Sequence, residues 1–175
     1  MPGTARIAVV GAGLMGHGIA QVFALAGHDV SIYDPVQASL DSVKSRILTN
    51  MRDLGDDPSA VERVRPTGEL AAAVRDADYV VEAVLEDLAL KQKLFVEIEQ
   101  HVRPDTILAS NTSVIPITRI MEGLADRSRA LSAPTGGTRL IWCRWSRLSA
   151  RNGPRSTRLT GPSPCTRLRG RRPCT

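Results

Sequence analysis

The six residues Gly11-Ala-Gly-Leu-Met-Gly16 constrain this chain more than any other stretch. They follow the short β-branched run Ile7–Val10 and open an apolar-periodic segment with Ile19, Val22, Phe23 and Ala26 on one face. A strand that turns sharply into a helix through G-x-G-x-x-G forms the first half of a βαβ unit suited to a pyrophosphate. Gly11 permits the tight turn, Gly13 lets the backbone approach the phosphates, and Gly16 lets helix and strand pack closely. The helix N-terminus, with Leu14 and Met15 in its first turn, offers free N–H groups and a partial positive charge to an anion. Gly27 sits where a helix-ending glycine belongs, and Asp29–Asp34 reads as a second strand. Asp34 lies 18 residues beyond Gly16, near the spacing of ~20 expected for the acid that holds a ribose 2′-hydroxyl. A carboxylate there repels a 2′-phosphate, which favours NAD over NADP. The competing reading is that the glycines serve turns alone. The strand before them, the helix after them and the acid at the end of the second strand weigh against it.

The pattern continues as alternating strands and helices. Val36–Leu54 reads as a helix with Leu40, Val43, Ile47, Leu48 and Met51 apolar, and Asp57–Pro58 carries helix-start chemistry. Ala77–Val84 is a third clear strand, Leu88–Val102 a helix with Leu94, Phe95 and Ile98 facing inward, and Thr106–Ser110 a further strand. Asn111–Leu124 begins as a loop and becomes a short helix. This order predicts an α/β fold, a Rossmann-type doubly wound, mostly parallel sheet. Ligands of such sheets bind at the carboxyl ends of the strands, and three strand ends carry polar groups. One is Gly11–Gly16. The second holds Glu82, Glu86 and Lys91, and the third Ser110, Asn111, Thr112 and Ser113. Each of the last two has a plainer reading: Glu86 and Lys91 as a solvated ion pair, and Ser110–Ser113 as a turn and helix cap. His17, His28 and His101 read as surface or helix-end residues rather than catalytic bases.

Charge divides the chain. Overall it is +5, yet residues 1–130 hold all 18 acidic residues against 13 basic ones, while residues 131–175 hold ten Arg, no Lys and no acid. Cys143, Cys165 and Cys174 all lie in the second part, without metal-type pairing, and their odd number argues against a disulfide framework. No metal site is expected. No run approaches the ~18 apolar residues of a membrane span, and the N-terminus lacks a secretory pattern. The expected compartment is the cytoplasm, with no membrane partner.

Taken together, "VVGAGLMGHGIAQVFALAGHDVSIYD", "ADYVVEAVLEDLALKQKLF" and "LASNTSVIPIT" resemble the N-terminal NAD-binding domain of the 3-hydroxyacyl-CoA dehydrogenase family. The resemblance covers roughly residues 5–131. It implies NAD as cofactor, held by Gly11–Gly16 and Asp34, with Glu86, Lys91 and Ser113 lining the cofactor and substrate crevice. It also implies that Ser113 approaches the substrate's hydroxyl or keto oxygen. The implied reaction is reversible oxidation of a 3-hydroxyacyl-CoA to the 3-ketoacyl-CoA in fatty acid metabolism. The implied assembly is a homodimer built mostly through a helical C-terminal domain. The family continues with a Gly-x-His-Phe/Trp-x-Asn-Pro motif whose His is the general base or acid, and a Glu about a dozen residues later orients it. This chain has no His after His101 and no acid after Asp126.

The genetic code offers an explanation. Synonymous codons for Ser132–Leu148, read two bases later, give Gly-Thr-His-Trp-Trp-Asn-Pro-Pro-His-Leu-Val-Pro-Leu-Val-Glu-Val-Ile, the missing motif with its His and Glu. Trp142 and Trp145 have one codon each, which limits the freedom of that choice. Residues 1–131 therefore read as an incomplete NAD-binding domain, and residues 132–175 as an out-of-frame tail expected to lack a packed core. The rival is a basic tail for nucleic acid or anionic lipid, which the coincidence with the family motif disfavours. Two other functions stay open: a non-catalytic NAD-binding fragment, and a related dehydrogenase of a free hydroxy acid such as L-gulonate or carnitine.

Overall fold

Alternation along the first strand sets the centre of the molecule. In β1 (Arg6–Val10), Ile7 and Val9 point to one core while Ala8 and Val10 point to another, as successive strand residues must. The computed structural model describes residues 4–125 and the strand backbone of 130–132. The order after β1 is α1 (Leu14–Leu25), β2 (Asp29–Tyr33), α2 (Gln37–Leu54), a 3-10 turn (Pro58–Arg63), β3 (Val64–Thr67) and α3 (Leu70–Val74). It continues with β4 (Tyr79–Glu82), α4 (Leu88–Glu99), β5 (Ile107–Ser110), α5 (Ile117–Ile120), a 3-10 turn (Met121–Gly123) and β6 (Ala130–Ser132).

The described strands form one sheet in the order β3-β2-β1-β4-β5-β6, and every pairing is parallel. This is the Rossmann strand order, whose direction of progression reverses between β1 and β4. Helices cover both faces, so both faces of the central strands are apolar. Ile19, Phe23, Val43 and Ile47 of α1 and α2 pack against Ile7, Val9 and Val81, while Phe95, Ile98 and Ile120 pack against Val10, Val80 and Leu108.

The expected elements form with small shifts. The fourth helix stops at Glu99 rather than Val102, and Leu94 is half-buried rather than fully inward. Val22 and Ala26 of the first helix are likewise only half-buried. Three elements were not expected from the sequence: β3, α3 and β6. The strand β3 is the edge strand Val-Arg-Pro-Thr, and its proline lacks the donor a central strand needs. The helix α3 is five residues long, too short to show a period. The last described strand, β6, runs through Ser132, the first residue assigned to the tail, which pairs with Ser110. The remainder of the expected tail, residues 133–175, and the three cysteines lie outside the described residues. Among the described residues no helix is long and apolar enough to cross a membrane, and no cluster of metal-ligating side chains occurs.

Candidate functional site

The turn out of β1 is built on two steric demands. Gly11 has a φ of 107°, and a Cβ there would lie 2.6 Å from the Ala83 carbonyl oxygen. At Gly16 a Cβ would lie 1.7 Å from the Gly11 carbonyl oxygen, so only glycine lets α1 approach the loop. Gly13 differs: a Cβ there would meet nothing within 4 Å. The space above Gly13 is therefore open on the protein side, as a loop that receives a ligand through its backbone requires. Gly13 is also the N-cap of α1 and supplies no side-chain cap, so the first-turn N–H groups keep their capacity to bind an anion.

Asp34, just past β2, reaches back to this loop. Its Oδ2 accepts the Ala12 N–H at 2.8 Å and its Oδ1 the Val36 N–H at 2.9 Å. From α2, Arg46 braces the same turn by donating to the carbonyls of Ala12 (2.6 Å) and Ser39 (3.1 Å). Gly11, Gly13, Leu14, Met15 and Asp34 line one cleft of about 620 Å³, closed opposite by Ala83, Val84, Leu85, Leu90 and Leu94. Its walls are apolar apart from Asp34, Ser39, Lys93, Glu97 and the Tyr33 hydroxyl.

The second polar group is not a solvated pair. Lys91 is 1% exposed and Glu82 is 0% exposed, and the Lys91 ammonium lies 2.7 Å from Glu82 and 3.1 Å from Glu86. Glu82 also accepts the Val84 N–H at 2.7 Å and the Ser110 hydroxyl at 2.5 Å. Glu86 accepts the Thr112 hydroxyl together with the N–H groups of Ser113 (3.1 Å) and Val114 (3.3 Å). Burial works against the charge on Glu86. The Thr112 hydroxyl, the Lys91 ammonium and the Val114 and Ser113 amides outweigh it and hold the carboxyl down to about 2. Ser110–Ser113 is a turn, as its composition suggests, but one tied to β4 through Glu82 and to the loop before α4 through Glu86 rather than a bare helix cap. Ser113 is exposed, and its hydroxyl makes no hydrogen bond to any described residue.

Two of the histidines expected at the surface or at helix ends are buried. His17 is 5% exposed, with Nδ1 2.8 Å from the Gly13 carbonyl oxygen. His28 is 4% exposed, accepts the Ala5 N–H and packs against Phe23, and burial followed by Arg63 lowers its pKa. Both follow from the tight seating of α1, which a local pattern does not reveal. His101 is exposed past the end of α4, as expected. Arg46 had escaped notice, since an arginine on an amphipathic helix ordinarily faces water. Glu82 had a visible signal, an acid inside the apolar run Tyr79–Val84.

Residues 6–133 match the family described as "3-hydroxyacyl-CoA dehydrogenase, NAD binding domain". A 3-hydroxybutyryl-CoA dehydrogenase of Mycobacterium tuberculosis is 37% identical over 134 residues, which is 72% of this chain and 47% of that protein. Among solved structures, an (S)-3-hydroxybutyryl-CoA dehydrogenase from Ralstonia eutropha superposes with a TM-score of 0.69 at 29% identity, over 74% of this chain and 48% of that one. An NAD-dependent 5-formyl-3-hydroxy-2-methylpyridine 4-carboxylic acid 5-dehydrogenase gives 0.66 at 34% identity, over 74% and 44%. The chain thus spans about half the length of these relatives.

Proposed function

The chain belongs to the 3-hydroxyacyl-CoA dehydrogenase family, whose NAD-binding domain it carries, and from that premise we propose that it is the cofactor-binding part of an NAD-dependent oxidoreductase acting on the hydroxyl of a 3-hydroxyacyl-CoA. The observation that carries the reading is the single cleft uniting the open glycine loop with the Asp34 carboxylate at the strand-order reversal. In this reading Gly11, Gly13, Leu14 and Met15 receive the pyrophosphate, Gly16 serves it by letting α1 seat against the loop, and Asp34 receives the adenosine ribose. Glu86 and Ser113 lie beyond Ala83–Leu85 at the ends of β4 and β5, outside the cleft's own lining, where the Ser113 hydroxyl is available to the substrate oxygen, while Lys91, 1% exposed, acts beneath them by holding Glu86. When bound, NAD supplies the hydride acceptor. Glu86 stays charged to hold the Ser113–Val114 backbone.

The proton-transfer groups are the gap. By family resemblance they are a His and a Glu beyond Ser132, and this sequence has neither type there. We read residues 132–175 as out of frame with the family, the dimer and the substrate-closing domain belonging to the corrected frame. Titrating the 175-residue protein with NAD, by calorimetry or fluorescence, tests the cofactor assignment; no saturable binding would refute it.

A second reading rests on the likeness to the pyridine carboxylic acid dehydrogenase. By its name that relative acts at the formyl group of a free pyridine carboxylic acid, which supports a substrate that carries no CoA. Parallel assays of the frame-corrected protein with 3-hydroxybutyryl-CoA and with free carnitine or L-gulonate separate the two, and turnover of the free acid alone would overturn the CoA assignment.

A further inference from the structure

Glu82 does more than terminate its strand. Three donors converge on its carboxylate: the Lys91 ammonium, the Val84 N–H and the Ser110 hydroxyl. A group that only accepts suits this arrangement. Lys91 is shared with Glu86, so one positive charge stands between two negative ones. The cluster as a whole carries one net negative charge, and its outward member is Glu86, whose side chain is 36% exposed. If Glu82 were neutral, Lys91 would cancel Glu86 and the cluster would carry none.

The position of this charge matters because of the cofactor. Asp34 and the glycine loop occupy the β1–β2 side, so a dinucleotide crossing the strand-order reversal extends its nicotinamide end toward β4 and β5. That is where Glu86 and Ser113 stand. The oxidised nicotinamide ring carries a positive charge and the reduced ring carries none. We propose that Glu82 is a positioning residue which, by holding Lys91 and cancelling its charge, leaves Glu86 a net negative neighbour of the nicotinamide and so biases the site toward oxidised cofactor. The proposal rests on the NAD reading of the cleft.

The test compares the affinities of the 175-residue protein for NAD⁺ and NADH, measured by calorimetry, in the unmodified chain and in Glu82→Gln and Glu82→Asp. A unit charge several ångströms from the ring, at a dielectric between those of protein and water, changes the ratio of the two affinities by about three- to tenfold. Glu82→Gln is expected to shift the ratio by that much toward NADH, while Glu82→Asp keeps the charge and holds the ratio within about twofold. An unchanged ratio in Glu82→Gln, or an equal shift in both variants, overturns the proposal. If Glu82→Gln does not fold, the unmodified chain decides. Its relative preference for NAD⁺ must weaken as salt rises from about 0.02 M to about 0.5 M, because screening reduces the field at the ring; a flat ratio overturns the proposal. Binding of neither form would remove the NAD reading itself, an outcome distinct from binding both with no charge dependence.

Discussion

Under the proposed function Asp34 carries two duties at once. Its carboxylate accepts the Ala12 and Val36 amides, so it organises the turn that it is also placed to complement electrostatically. Asp34→Ala is therefore expected to weaken NAD binding by roughly ten- to a hundredfold, the size of a lost charged hydrogen bond together with the loosening of a loop amide. Asp34→Arg should raise NADP affinity relative to NAD. Equal affinity of the unmodified protein for both dinucleotides would contradict this role. Glu86 gives a pH signature. Its carboxyl is held down to about 2 from an ordinary value of 4.5. A depressed carboxyl stabilises the fold fully above the unfolded value and loses that contribution as pH falls toward the folded one. Denaturation midpoints of the unmodified protein should thus fall more steeply between pH 4.5 and about 2 than those of Glu86→Gln; parallel curves would argue against the network.

At the scale of elements, the glycine loop separates folding from binding. Gly13 has a φ of −69°, open to any residue, and a Cβ there touches no protein atom. Gly13→Ala should keep the fold, with a near-normal circular dichroism melt, and lose NAD affinity, because the added methyl occupies space the cofactor needs. Gly16→Ala drives a methyl onto the Gly11 carbonyl and should destabilise the domain by on the order of 1–3 kcal/mol or more, seen as a lower melting temperature without any ligand. If both variants behave alike, the loop is not divided in this way. The second joint is the bridge between β4, α4 and β5. Lys91→Met leaves Glu82 buried without its cation, at an expected cost of about 3–5 kcal/mol. The double variant Glu82→Gln with Lys91→Met should recover part of that loss in denaturant titrations.

For the whole molecule, the proposed function separates cofactor binding from proton transfer along the chain. No His follows His101 and no acid follows Asp126, so under the proposed function the family's proton-transfer pair has no counterpart in the stretch after Ser132. Loss of the base alone removes about 10²–10⁴-fold in rate. The expectation is NAD binding with little dehydrogenase activity, and recovery of activity with 3-hydroxyacyl-CoA after a single-nucleotide correction near codon 131. Robust turnover by the uncorrected protein would defeat this. So would a corrected frame that meets a stop codon within a few residues.

The dinucleotide loop, Asp34 and the alternation of strands and helices were legible in the sequence because each depends on local rules: fixed spacing around glycines and apolar periods of two and 3.6 residues. The edge strand β3 was not legible, because Pro66 breaks the pattern and only pairing with β2 makes it a strand. Nor was it evident that Lys91 is buried, that Glu82 and Glu86 share it, or that Arg46 turns inward to brace Ala12. Sequence spacing allowed Glu86 and Lys91 to be a surface pair. Laying β5 beside β4 brings Ser110–Ser113 over them, buries Lys91 and Glu82, and leaves Glu86 as the one outward-facing charge of the three. Charge pairing between separate elements depends on which elements the fold places side by side, and that is settled only when the sheet closes over its two cores.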